Sequence, residues 1–192
     1  ACKGTVMKKT LLAILLSLST AAFGSDYKID SNHAHARFEI DHFGTTTNKG
    51  GFYGLAGNVQ FNLKAKTGFI SVTIPVRNLV TGTPEFDKHL KNANFFNADQ
   101  FPEIRFQSTK WHFKDNKVSE VEGMLTMLGK AKPVKLKATK FNCYQSPMLK
   151  AEVCGGDFET IIDRTQWGMD YLVNIGMSKQ VKLTIQIEAV KI

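Results

Sequence analysis

Five histidines and a handful of carboxylates are the side chains of this sequence best suited to chemistry. His33 and His35 flank Ala34, so on a strand both would face one side, as a pair of metal ligands does. A metal site also needs a third ligand and partners that orient the first two, and the sequence supplies nothing specific. Backbone hydrogen bonding by His33 and His42 at a rim is the simpler expectation. Asp87 and His89 fall in a helix-like segment, where residues i and i+2 diverge, so a capping or closing role is expected rather than a hydrolytic dyad. Asp163 and Arg164 are expected to pair within a turn. A guanidinium suits oxygen acceptors, which makes Arg164 a candidate for a ligand head group. No catalytic residue and no metal ligand are assigned.

The three cysteines separate by position. Cys2 lies among residues 1–6, upstream of a start-like Met7. Residues 7–24 read as a signal peptide: Met7-Lys8-Lys9 gives a basic start, Leu11 to Ala22 an apolar run, and Ala22-Phe23-Gly24 a small-x-small cleavage pattern. That run is too short for a membrane span, which needs roughly 20 residues. Secretion is expected, and Cys143 and Cys154 then form an even pair in an oxidising compartment, whose simplest reading is a disulfide. Formal charge is +8, and without Lys3, Lys8 and Lys9 the balance is 22 basic against 17 acidic residues. This dispersed excess could favour an anionic membrane surface, but without a basic cluster it argues against nucleic-acid binding.

The elements that must position these residues are strands. Val181, Leu183, Ile185, Ile187 and Ala189 alternate with polar residues, the mark of a strand with one buried face. Ala36, Phe38 and Ile40 repeat the pattern, as do Val59, Phe61 and Leu63, then Ile70, Val72, Ile74 and Val76. Ile104, Phe106 and Ser108 follow, and later Val134, Leu136 and Ala138. Further strands are expected at 110–113, 119–128 and 156–162. A short helix is predicted within 83–96, where Pro84 sits near a start, and a helical turn at 163–167 ending at Gly168. Residues 25–192 are thus predicted to form one all-β domain of eight or nine strands, sandwich or barrel. Eight strands close into a barrel that is either filled by side chains or wide enough for one slim ligand. Alternation alone does not choose between these.

Four ordered stretches then resemble the YceI family of bacterial periplasmic lipid-binding proteins. YKIDSNHAHARFEIDHFG is similar to its opening motif, with His33, Phe38 and His42 in place. TGTPEFDKHLKNANFFNADQFPEIRFQSTK resembles its most specific stretch, in register at Thr81, Gly82, Asp87, His89, Leu90, Phe95, Phe96, Pro102, Phe106 and Ser108. VEGMLTMLGKAKPVKLKA and IDRTQWGMDY resemble two further elements, and VKLTIQIEAVKI closes the match. Two departures stand out. The FNCYQSPMLKAEVCGGDF hairpin carries the cysteine pair, which is expected to tie down a longer loop near one barrel end. Ala34 follows His33 where a serine is common.

The resemblance implies an extended eight-stranded, lipocalin-like antiparallel barrel with a short helical cover and no enzymatic activity. It implies a pore holding a polyisoprenoid lipid, with ubiquinone-8 the best single candidate. The expected pore lining is Phe38, Ile40, Phe61, Ile70, Val72, Ile74, Phe106, Leu125, Met127, Val134, Leu136, Phe158, Leu183 and Ile185. Phe86, Phe95, Arg164, Trp167 and Met169 are head-group or lid candidates. Transient contact with a membrane surface and a homodimer are further expectations. Two other classes stand beside this reading: a β-barrel enzyme, disfavoured by the apolar inward positions, and a surface interaction or structural protein with a filled barrel.

Overall fold

The structure, a computed structural model, describes residues 24–192. Residues 1–6, and the expected signal segment 7–24 except Gly24, lie outside the described residues. Each alternating segment becomes strand with shifted bounds, Leu63, Val76 and Leu128 falling just past the ends of theirs. The chain runs β1 (Ser25–Ile29), β2 (His35–His42), β3 (Thr46–Tyr53), β4 (Ala56–Asn62), β5 (Thr67–Pro75), β6 (Leu79–Val80), α1 (Pro84–Leu90), β7 (Glu103–Lys114), β8 (Lys117–Met127), β9 (Lys130–Ser146), β10 (Ala151–Asp163) and β11 (Gln180–Lys191). All pairings are antiparallel, and β1 pairs with β11 to close the sheet.

Eleven strands make a barrel of eight staves because three staves are broken. β1 and β2 run end to end along one edge of β11, from Tyr27 opposite Lys191 to Glu39 opposite Lys182. β4 and β3 pair with them in the same order, and β5 and β6 with those. The three breaks fall side by side, and buried Ala34, Leu55, Val76 and Leu79 fill them. At the first, Asp30 caps a single turn at Ser31–His33, and Ala34 O accepts from Leu55 N across to the next stave.

Bulges explain where simple alternation misreads the long strands. The inward set of β7 changes parity after Ser108, from Ile104 and Phe106 to Trp111 and Phe113, because the register shifts there against β8. The segments expected at 104–108 and 110–113 are therefore one strand. Ser108 Oγ accepts from Ile70 N at 2.9 Å and from Trp111 Nε1 at 3.0 Å, which satisfies polar groups beside the bulge. A second shift, between β9 and β10 at Asp157/Phe158, moves the inward set of β9 from Val134 and Leu136 to Phe141 and Cys143. Cys143 and Cys154 lie directly opposite in that hairpin and are bonded.

Candidate functional site

The barrel is not filled. Two apolar chambers follow its axis, with cavity volumes of about 110 Å³ and 210 Å³. They share Ala36, Ile74, Leu125, Leu183 and Ile185 in their walls and so abut as one tunnel. For scale, an apolar void of roughly 150 Å³ stays dry and accepts a benzene-sized molecule. Ala36 and Ile74 sit beside the stave breaks, so the tunnel's neck lies at their level.

The lower chamber is a product of strand faces. Phe61, Ile70, Val72, Phe106, Val134, Leu136 and Phe158 line it, as expected. At its far end the Phe61 ring lies 5.9 Å from Trp111, 6.4 Å from Phe113 and 5.7 Å from Phe141. Glycine makes room for such rings: a Cβ on Gly68 would fall 2.2 Å from the Trp111 indole, and one on Gly123 2.4 Å from the Phe106 ring. Cys154 also borders this chamber, so the disulfide braces its wall. Tyr27 brings a hydroxyl, which donates to Glu152 Oε1 at 2.6 Å. Burial, reinforced by that carboxylate, pushes its pKa up and keeps it neutral.

The upper chamber is walled partly by irregular chain. Phe38, Ile40 and Met127 reach it from strands, and Phe86 and Phe95 from α1 and the turns after it. His89 stands between these two, its ring 5.0 Å from Phe95, and Tyr171 lies 5.4 Å from Phe95. Asp87 ties the cover to the barrel by accepting from the amide and hydroxyl of Thr81. Met169, Leu172 and Met177 come from the loop between β10 and β11. All fourteen positions expected on the pore wall border one chamber or both.

Arg164 borders the upper chamber, but its donors are engaged. Only 2% exposed, it donates from Nε to Ser178 O at 2.9 Å, from Nη1 to Met169 O at 3.0 Å and from Nη2 to Tyr171 O at 3.0 Å. It clamps the 169–178 loop, which corrects the expected pairing with Asp163. Asp163 instead caps the next turn through Thr165 N and Oγ1, and these bonds lower its pKa. Trp167 lies outside both chambers: it is buried against the barrel, with Nε1 donating to Leu125 O at 2.9 Å.

The histidines of the tempting pair have separate partners. His33 Nδ1 meets Asp30 Oδ2 at 2.8 Å, a carboxylate rather than the expected backbone, and the bond raises the pKa of His33. His35 packs on Tyr53 at 4.9 Å, where burial lowers its pKa. Among the described residues one metal-like cluster forms, His112, Glu120 and Glu122, on the outer face of β7 and β8. Lys135 Nζ lies 2.7 Å from one Glu122 oxygen and His112 Nε2 2.9 Å from the other, so the group is a surface charge network already paired within the protein.

Strand-face residues were legible; loop residues were not. Leu172 and Met177 follow no period, and Phe52 sits in the glycine-rich TTNKGGFY segment, which carries no strand signal. A Cβ on Gly50 would lie 2.5 Å from the Phe38 ring, so one glycine facing one large aromatic was the available clue.

This architecture has relatives. Residues 27–189 match the model of the YceI-like domain. A UPF0312 protein of Vibrio cholerae is 30% identical, with 96% of this chain and 100% of the relative aligned, and one of Shewanella denitrificans is 33% identical over the same shares. Among solved structures, a YceI protein of Campylobacter jejuni superposes with a TM-score of 0.68 at 24% identity, covering 80% of this chain and 90% of that one. A polyisoprenoid binding domain from Saccharophagus degradans, implicated in plant cell wall breakdown, superposes at 0.62 with 10% identity, covering 86% and 98%. Matched along nearly the whole described domain, the chain belongs to the YceI-like family.

Proposed function

We propose that this protein holds a polyisoprenoid lipid in the two-chamber tunnel and serves in the periplasm as its carrier or store. The observation that carries this reading is the continuous apolar wall through Ala36, Ile74, Leu125, Leu183 and Ile185, which offers a slim chain a path between the chambers. The name of the Saccharophagus neighbour supports the ligand class. Burial contributes about 0.8 kcal/mol per CH₂, so an isoprenoid tail needs apolar length rather than directed polar groups. Ordering the chain offsets much of that gain. Ubiquinone-8 is our specific candidate. Arg164 has too few free donors to serve as the principal head-group ligand, whereas His89 lines the tunnel's upper wall with Tyr171 6.4 Å from it.

Mass spectrometry of an organic extract from freshly purified protein tests the reading. A stoichiometric prenyl lipid is expected, and Leu183→Arg, at the neck, should cut its content at least ten-fold while circular dichroism stays that of a barrel. Unchanged lipid content in the folded variant would remove the tunnel as the site. An empty extract with no uptake of added quinone would leave a barrel whose role lies on its surface.

A further inference from the structure

The upper end of the barrel carries apolar side chains that its fold does not use. Phe43 is 41% exposed at the tip of the β2–β3 turn, and Ile175 is 63% exposed in the loop between β10 and β11. Exposed Tyr171 lies in that same loop. The two tips are neighbours: a Cβ on Gly176 would sit 3.7 Å from the Phe43 ring. Phe43 holds φ +54° and Leu172 φ +64°, a left-handed conformation that bulky side chains rarely take. Asparagine, aspartate or glycine would suit the Phe43 turn better on backbone grounds and would be more soluble. Neither stability nor solubility therefore accounts for a phenylalanine there.

This rim is continuous with the tunnel. His42, next to Phe43, and Leu172 and Met177, flanking Ile175, all line the upper chamber. Two of the charged groups near the tips are engaged within the protein: Lys49 pairs with Glu39 at 3.3 Å, and Asp41 accepts from Gly44 N at 2.6 Å. At the tips themselves Phe43 and Ile175 face outward, with exposed Asp170 and Lys179 at the ends of the loop. The opposite end also has an exposed apolar tip, Met148 at 90% and Leu149 at 53%, but no residue of that turn lines a chamber, and aromatic rings occupy the barrel between it and the neck.

We infer that the upper rim docks on a lipid bilayer, with Phe43 and Ile175 inserted, so that the isoprenoid chain passes between membrane and tunnel without crossing water. The inference rests on the lipid-holding reading and adds which end of the barrel admits the ligand. Insertion of uncharged side chains needs no anionic lipid, so docking should persist on zwitterionic vesicles and at high salt.

Two assays on the purified protein separate the inference from the reading beneath it. In flotation with ligand-free phosphatidylcholine vesicles, the wild type should bind equally at 0.1 M and 1 M salt, and Phe43→Asp/Ile175→Asp should lose at least ten-fold. Aspartate tolerates the left-handed turn, so this variant should keep its fold. Met148→Asp/Leu149→Asp should behave as wild type. In quinone uptake, the rim variant should be at least ten-fold slower from vesicles and match the wild type from detergent micelles. Unchanged flotation of the rim variant, or an equal loss in the Met148/Leu149 variant, overturns the docking assignment. A wild type that floats but takes up no quinone from detergent overturns the lipid reading instead.

Discussion

The two chambers share a wall at the neck, yet they are held by different means. Around the lower one, β7, β8, β9 and β10 are paired along nearly their whole lengths, and the Cys143–Cys154 bond ties the last hairpin. Around the upper one, the strands give way to α1, its following turns and the 169–178 loop, which beyond its own short backbone turns is tied by three hydrogen bonds from one guanidinium. A ladder distributes stability over many equivalent bonds, whereas a clamp concentrates it in one side chain. The upper chamber should therefore open locally at a lower free energy than the lower one, as a ligand gate requires.

Removing the clamp tests that contrast most severely. Arg164→Met keeps an apolar side chain of similar length but leaves the carbonyls of Met169, Tyr171 and Ser178 without their donor. One of these bonds is buried and two are part-buried, so at roughly 1–3 kcal/mol for a buried group left unsatisfied and less for the others, the loss should be about 4 kcal/mol. Hydrogen exchange should place it in the cover, with amides of residues 164–178 exposed first and those of β8 and β9 still protected. Uniform loss of protection would show that the two chambers unfold as one unit. Reducing or replacing the disulfide, by Cys143→Ser/Cys154→Ser, should cost about 3 kcal/mol for a loop of this length. Guanidinium unfolding would measure that loss, and exchange should rise in the β9–β10 hairpin rather than in the cover.

The same contrast governs what could be read in advance. Leu183 and Ile185, or Val72 and Ile74, announce their inward faces because a strand repeats every two residues. That signal yielded the strands and their inward faces, while the closed barrel with a pore came from the family resemblance. It failed at Trp111, where a bulge reverses parity, and at the stave breaks, where Ala34 and Leu55 pack without a period. In the cover, Met169 and Arg164 were picked out by resemblance, but the direction of each side chain follows from a loop path no local pattern encodes. Arg164, expected in a turn and also a head-group candidate, gives its guanidinium to the carbonyls of Ser178, Met169 and Tyr171. Trp167, a lid candidate, borders neither chamber and is buried in the core with its indole N–H donating to Leu125 O.

A smaller effect tests the ladder itself at its bulge. Ser108→Ala should cost about 1–3 kcal/mol, since Ile70 N and Trp111 Nε1 both lose their acceptor inside the barrel. Thermal unfolding should report the loss. Trp111 fluorescence should shift with it, because the indole loses its anchor at the lower chamber while the cover is untouched.

The smallest expected effect lies on the outside of the same ladder and depends on pH. Bonds from Lys135, and next from His112, hold the Glu122 carboxyl at a pKa of about 2, below its ordinary 4.5. A carboxylate whose pKa is lowered by folding stabilises the folded state fully above its unfolded value, and that stability is lost as pH falls through the folded value. Denaturant titrations should therefore show stability declining between about pH 4.5 and 2. Glu122→Gln should flatten that part of the slope, so that variant and wild type converge near pH 2. The group is open to solvent, so the difference at neutral pH should be small and should shrink with added salt. Loss of bound lipid over the same pH range in wild type but not in Glu122→Gln would mean that this outer network controls the tunnel. Equal retention in both would confine its role to the strand pair it bridges.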